Sequence, residues 1–163
     1  MSRIAIAAKP QDLELGRQMW REYAQMIEDP AWLPGIEAEL AGIGNIYAPP
    51  GGTFVLAYEG QEAAGCGGLR RIDDEVCEMA RVFVRPQFRG HGIARSISVA
   101  LMGEARRIGY GVLRFAIPGA LATTMAGGIK LYESLGFRPI PPYGKHPPGA
   151  FCMEARVRSG PRK

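Results

Sequence analysis

The sequence predicts an α/β (α+β) architecture: a mixed, mostly antiparallel central sheet of about seven strands flanked by about four helices. Three observations predict it. Three apolar, strand-like runs follow one another between Phe54 and Val84, with connections too short for a crossover helix, so they pair antiparallel. A long run after Gly92, with apolar residues three or four apart, leads through Gly109 into another strand, which then lies parallel to the one before the helix. No repeat or linker divides the 163 residues, a length that can bury a core without disulfide staples.

Residues 3–8 alternate loosely and read as a first strand. Pro10 can open a helix whose first turn carries Asp12 and Glu14, where negative charge is favoured. Leu13, Leu15, Met19, Tyr23, Met26 and Ile27 recur at roughly helical spacing, and that helix is expected to end near Asp29 and Pro30. A short helix around Ile36 to Leu40 follows, and the Gly- and Pro-rich stretch Ala41 to Gly52 reads as a loop.

Phe54 to Tyr58, the turn Glu59 to Gln61, and Ala63 to Arg71 form a hairpin. Asp73 and Asp74 make the next turn, and Val76 to Val84 is the third strand, stopped by Pro86. Ile93, Ile97, Ala100, Leu101, Ala105 and Ile108 mark the apolar face of the long helix, capped by Gly109. Val112 to Ile117 is a strand broken by Pro118 and Gly119; a helix covers about residues 123–135; Phe137 to Ile140 is a short strand. Pro141 to Pro148 is a loop, and Ala150 to Val157 is the last strand. Residues 1–157 are therefore expected to form one domain, followed by a basic tail at 158–163.

The apolar share of 47% and charged share of 22% are ordinary for a globular protein. The net charge of +4 is modest and partly sits in Arg156, Arg158, Arg162 and Lys163, which read as an exposed tail rather than a nucleic-acid arm. No aromatic and basic surface pattern supports nucleic-acid binding. Cys66, Cys77 and Cys152 show neither close pairing nor metal-ligand spacing, so no metal is expected and the thiols read as buried and structural. With no signal-like N-terminal stretch and no run of the ~20 apolar residues that a membrane span needs, the expectation is a cytoplasmic protein without membrane contact.

The chemistry-bearing unit is a strand, the turn Gln87-x-x-Gly90-x-Gly92, and the long helix. A helix N-terminus exposes free backbone N–H groups, and the macrodipole adds positive potential there. Together they suit a pyrophosphate. Gly90 and Gly92 let the backbone approach an anion without a Cβ, and Arg89 and Arg95 can add charge at the rim. No Lys-Ser/Thr pair follows as in a P-loop, and no third glycine completes a dinucleotide fingerprint. Taken alone, the two glycines could equally just shape a tight turn.

The pattern Gln87-x-x-Gly90-x-Gly92, the text around it from Cys77 to Ala94, and the segment Leu131 to Phe137 resemble the GCN5-related N-acetyltransferases, whose loop signature is Q/R-x-x-G-x-G/A. The order of elements extends the resemblance over nearly the whole chain. It implies the acyl-CoA N-acyltransferase fold and acetyl-CoA as acyl donor. It also implies that the loop from Phe88 through Arg89, Gly90, His91, Gly92 and Ile93 to Ala94 holds the pyrophosphate, opened by Gln87. Val82, Phe83 and Val84, on a bulged strand splaying from its neighbour, would then offer free backbone groups to the pantetheine arm. An Asn common in the family near the start of the later helix is missing here; Thr123 or Thr124 could substitute.

The resemblance further implies direct attack of a neutral amine on the thioester, with one group accepting a proton and another protonating the thiolate. Tyr132 aligns with the tyrosine that commonly serves as the acid; otherwise it is a packing aromatic. Glu78 is the candidate base; the alternative is a solvent-facing glutamate balanced by Arg81 or Arg70. Glu22, His91 and His146 rank below it. The acceptor is expected to be a primary amine of a small molecule, bound by residues of about 10–45 and by the loop from Pro139 to Gly149. Trp20, Tyr23, Trp32, Tyr47 and Tyr143 with Glu22, Glu28, Asp29, Glu37 and Glu39 would suit a cation, or the aromatics simply pack the helices. A protein lysine or N-terminus as acceptor, a non-catalytic coenzyme A-binding module, and a homodimer stay open.

Overall fold

The computed structural model describes residues 2–27, 30–119 and 126–158. Seven strands form one mixed sheet in the order β1-β2-β3-β4-β5-β7-β6. They are β1 (Ser2–Ile6), β2 (Thr53–Glu59), β3 (Glu62–Arg71), β4 (Val76–Val84), β5 (Val112–Ile117), β6 (Arg138–Ile140) and β7 (Phe151–Arg156). All neighbours are antiparallel except β4 and β5. That exception follows from α4 (Ile93–Ile108), the crossover that must return the chain to the same edge.

Five α-helices lie among the described residues: α1 (Pro10–Ala24), α2 (Ile36–Ala41), α3 (Ile43–Ile46), α4, and α5 (Ala126–Ser134). Short 3-10 turns occupy Pro30–Trp32 and Pro86–Phe88. Two outcomes depart from the expectation. The first helix stops at Ala24 rather than near Asp29, which lies outside the described residues. Residues 41–52 are not all loop, because Ile43 is fully buried against the α1 side of the sheet and anchors α3. Arg158, the first residue of the expected tail, donates to Gly109 O at 2.6 Å and to Glu75 at 2.7 Å, and residues 159–163 lie outside the described residues. Thr123 and Thr124 lie outside the described residues.

The sheet is covered on both faces. On one, Ile93, Ile97, Leu101 and Ala105 of α4 meet Leu69, Met79, Leu113 and Met153. On the other, Met19 and Trp20 of α1 with Leu40, Ile43 and Tyr47 meet Phe54, Leu56 and Phe83. Strand β3 brings both layers close. A Cβ on Gly67 would stand 2.6 Å from Ile97, and one on Gly68 would stand 2.5 Å from the Tyr47 ring. The three cysteines are free and buried, as expected for structural thiols. No described helix is long and apolar enough to cross a membrane.

Candidate functional site

The parallel pair β4–β5 is joined only at its start, through Val76↔Val112, Cys77↔Leu113 and Glu78↔Arg114. Beyond Glu78 the strands part. The cause lies on the other edge of β4, where the register with β3 slips between Cys66 and Gly68. Two β4 residues, Arg81 and Val82, there stand opposite Gly67, and Arg81 takes a left-handed φ of 59°. A non-glycine residue in that region stores strain, held here by tertiary contacts. The Arg81 guanidinium donates to Glu39 at 2.8 Å and lies 5.6 Å from the Trp20 ring, while its carbonyl accepts from the Cys66 thiol.

The gap opens into a cleft of about 680 Å3. Met79, Ala80, Arg81 and Val82 form one wall, and Phe115, Ala116, Ile117 and Tyr132 the other. Trp32 and the segment from Tyr143 to Pro147 close it from above. Of the three residues expected to offer backbone groups to the donor arm, Val82 lines the cleft. The Phe83 side chain packs in the α1-side core, with Tyr23 at 5.9 Å, and the Val84 side chain packs on the α4 side, so their part in such a site is confined to backbone groups.

The loop that follows β4 has the geometry its glycines suggest. Gly90 has φ 85° and Gly92, the residue capping α4, has φ 78°. A Cβ at either position would meet nothing within 4 Å, so these glycines are required by backbone conformation and not by packing. Among the described residues, no N–H group from Gly90 to Arg95 donates to a backbone carbonyl. They are the orphan donors of a helix start, and Gly90, His91 and Gly92 are exposed.

The side chains nearby hold the loop. Arg85 forms a two-pronged bond to Glu22 of α1, at 3.0 and 2.8 Å, which removes Glu22 from the acceptor side. Arg89 donates to Val84 O at 3.0 Å, and Arg95 to Ser134 Oγ at 3.3 Å, tying α4 to α5. Gln87 and Phe88 border a separate shallow depression with Leu15 and Tyr58. Ile93 is a core side chain that can contribute only its N–H, and Ala94 is half-buried.

Glu78 is buried rather than solvent-facing, and it is the hub of the cleft. Arg70 donates to its Oε1 at 2.8 Å, and the Tyr143 hydroxyl and His146 Nε2 approach its Oε2 at 2.7 and 3.1 Å. Burial alone would raise its pKa, but the His146 bond, the Arg70 charge and the Tyr143 bond outweigh it and bring the carboxyl down to about 2. Tyr143 moves the other way, raised by burial and then by the Glu78 charge. The His146 ring stacks on Trp32 at 5.8 Å and meets Tyr143 edge-on at 5.1 Å. His146, a weaker candidate than Glu78 on sequence grounds, thus shares the cleft with both Glu78 and Tyr132. Its only sequence signal is a place in the loop expected to face the acceptor.

Tyr132 packs against Phe115 at 4.7 Å while lining the cleft. Burial raises its phenol, partly offset by the neighbouring Ser98 hydroxyl, so it stays protonated at neutral pH. Trp20 and Tyr47 are core residues, whereas Tyr23, Trp32 and Tyr143 reach the cleft. The acidic lining expected for a cation does not form among the described residues: Glu39 is taken by Arg81, Glu37 lies 3.5 Å from Arg21, and Glu28 and Asp29 lie outside them. Arg70, Arg71, Arg81 and Lys145 line the cleft, with Glu78 as the one carboxylate among the described lining residues.

Residues 50–139 match the Acetyltransferase (GNAT) domain family. The chain belongs to the GNAT acetyltransferase family. It is 30% identical over 152 residues to an uncharacterized N-acetyltransferase of Schizosaccharomyces pombe, covering 90% of each chain. It is 33% identical over 107 residues to an N-acetylaspartate synthetase of Danio rerio, covering 64% of this chain and 36% of that one. A Salmonella typhimurium protein solved with acetyl-CoA has the same fold, with a TM-score of 0.70 and 19% identity over 100% of this chain and 98% of that one. For a GNAT acetyltransferase, the mixed sheet and the parted β4–β5 pair are the expected frame.

Proposed function

We propose that this GNAT acetyltransferase moves the acetyl group of acetyl-CoA directly to the primary amine of a small molecule that also carries an acidic group. One observation supports the donor half above others: a row of backbone N–H groups from Gly90 to Arg95, unpaired among the described residues, lies on the loop that follows the strand leaving its partner. An anionic pyrophosphate fits those donors, and the pantetheine amides fit the freed edge at Val82. The Salmonella neighbour, solved with acetyl-CoA, supports the same donor.

A cleft of about 680 Å3 lies within the range of roughly 300–1,000 Å3 typical of small-molecule sites, which favours a small acceptor over a polypeptide. Arg70, Arg71 and Arg81 are paired with Glu78, Asp74 and Glu39, but Lys145 has no ion pair among the described residues, which favours an acceptor with a carboxylate or similar anion over a simple cation. The Danio rerio relative is named for an acetylated amino acid, which agrees with that chemistry. In the same reading residues 1–157 act as one catalytic domain.

In the reaction the amine nitrogen forms a bond to the thioester carbonyl carbon and the carbon–sulfur bond breaks. One proton leaves nitrogen and one reaches sulfur. Tyr132, protonated and on the cleft wall, is the group that supplies the second. Tyr132→Phe is expected to lower kcat by roughly 10²-fold with acetyl-CoA affinity unchanged, read by steady-state kinetics and calorimetry.

The test is turnover. Free thiol released from acetyl-CoA is followed with a panel of amino acids, acidic amines, polyamines and lysine peptides. Acetylation of the acidic amines is expected to exceed that of polyamines. Tight acetyl-CoA binding without turnover on any amine would instead indicate a coenzyme A-binding module.

A further inference from the structure

We propose that His146 is the base that takes the proton from the acceptor amine, and that Glu78 is its positioning residue. The inference rests on the acetyltransferase reading above and adds to it a catalytic residue and a division of labour.

The geometry separates the two roles. Glu78 is surrounded by donors: Arg70, the Tyr143 hydroxyl and His146 Nε2. A carboxylate so satisfied, and held ionised, has little tendency to accept a further proton. Being an acceptor only, it fixes the hydrogen of a neutral His146 on Nε2. The lone pair then falls on Nδ1, which has no hydrogen-bond partner among the described residues. The ring cannot turn freely, because Trp32 stacks on one face at 5.8 Å and Tyr143 meets it edge-on at 5.1 Å.

The charged and titratable groups around the ring come from several elements. Glu78 of β4 and Tyr143 of the same loop touch it, with Arg70 of β3 behind Glu78. Arg114 of β5 lies over Tyr143 at 5.3 Å, and Lys145, Arg71, Arg81 and Tyr132 line the same cleft. Protonated His146 forms an ion pair with Glu78, so the proton taken from nitrogen is stabilised where it lands. The thiolate receives its own proton from Tyr132, and the two transfers balance.

The test is the pH profile of kcat/KM for the full chain, His146→Gln and Glu78→Gln, on whichever amine the wild type acetylates. His146→Gln is expected to cut kcat by 10²- to 10⁴-fold and to abolish the acidic limb, with calorimetric acetyl-CoA affinity unchanged. Glu78→Gln is expected to keep the limb but displace it, which a merely structural role for His146 would not produce. A His146→Gln variant within threefold of wild type, with the acidic limb intact, overturns the proposal and leaves the acetyltransferase reading standing. A wild type that binds acetyl-CoA yet acetylates no amine overturns both.

Discussion

Gly92→Val is expected to weaken acetyl-CoA binding by roughly 10²-fold, about 3 kcal/mol, while the protein remains folded. Gly92 caps α4 at φ 78°, a region that costs an L-residue about 1–2 kcal/mol and a β-branched one more. The new Cβ would meet no protein atom within 4 Å, so packing gives no reason for the core to fail. The chain escapes by turning the peptide out of the left-handed region, which swings the orphan N–H groups out of convergence. It also places a side chain where a phosphate oxygen must come. Gly109→Val is the matched control. Gly109 caps the other end of the same helix at φ 114°, also with nothing within 4 Å. It should lose comparable stability by thermal melting and keep acetyl-CoA affinity by calorimetry.

The second large effect is on stability and its pH dependence, through Glu78. Its pKa falls from 4.5 to about 2 in the folded protein, because the His146, Arg70 and Tyr143 contacts outweigh the burial that would raise it. A depressed carboxylate stabilises the fold above its unfolded pKa and ceases to do so as pH falls through the folded value. The contribution is on the order of 3 kcal/mol above pH 4.5 and fades as pH falls toward 2. Glu78→Gln should therefore be less stable than wild type at pH 7 by an amount of that order, because Arg70 loses its buried partner. The gap should narrow steadily below pH 4.5. Denaturant unfolding of both proteins at neutral and acid pH reads both statements. A gap that stays constant with pH would place the cost in lost packing, not in the charge.

The elements legible in the sequence are those with punctuation at their ends. β4 and α4 fall at Val76–Val84 and Ile93–Ile108, as expected, because Pro86, Gly92 and Gly109 admit few other boundaries. The crossover rule then orders β4 and β5 without further information. α3 was not legible, since its helix forms in a Gly- and Pro-rich stretch and depends on burying Ile43 against residues distant in sequence.

The candidate site divides in the same way. The donor loop is local, one turn and one helix start, so its residue pattern carries it. The acceptor side is assembled from long-range pairs that leave no trace in spacing. Glu39 meets Arg81 from 42 residues away, and His146 meets Glu78 from 68. Read without those partners, the carboxylates suggested a cation site. With them in place, those carboxylates are neutralised by Arg70 and Arg81, and Lys145 is the lining cation without an ion pair among the described residues.

The most direct measurement is a structure of the protein with coenzyme A bound. Pyrophosphate oxygens are expected within hydrogen-bond reach of the N–H groups between Gly90 and Arg95. The pantetheine should run along Val82 between β4 and β5, with the sulfur in the cleft that holds Tyr132 and His146. Coenzyme A seated elsewhere, or a sulfur outside that cleft, would contradict it.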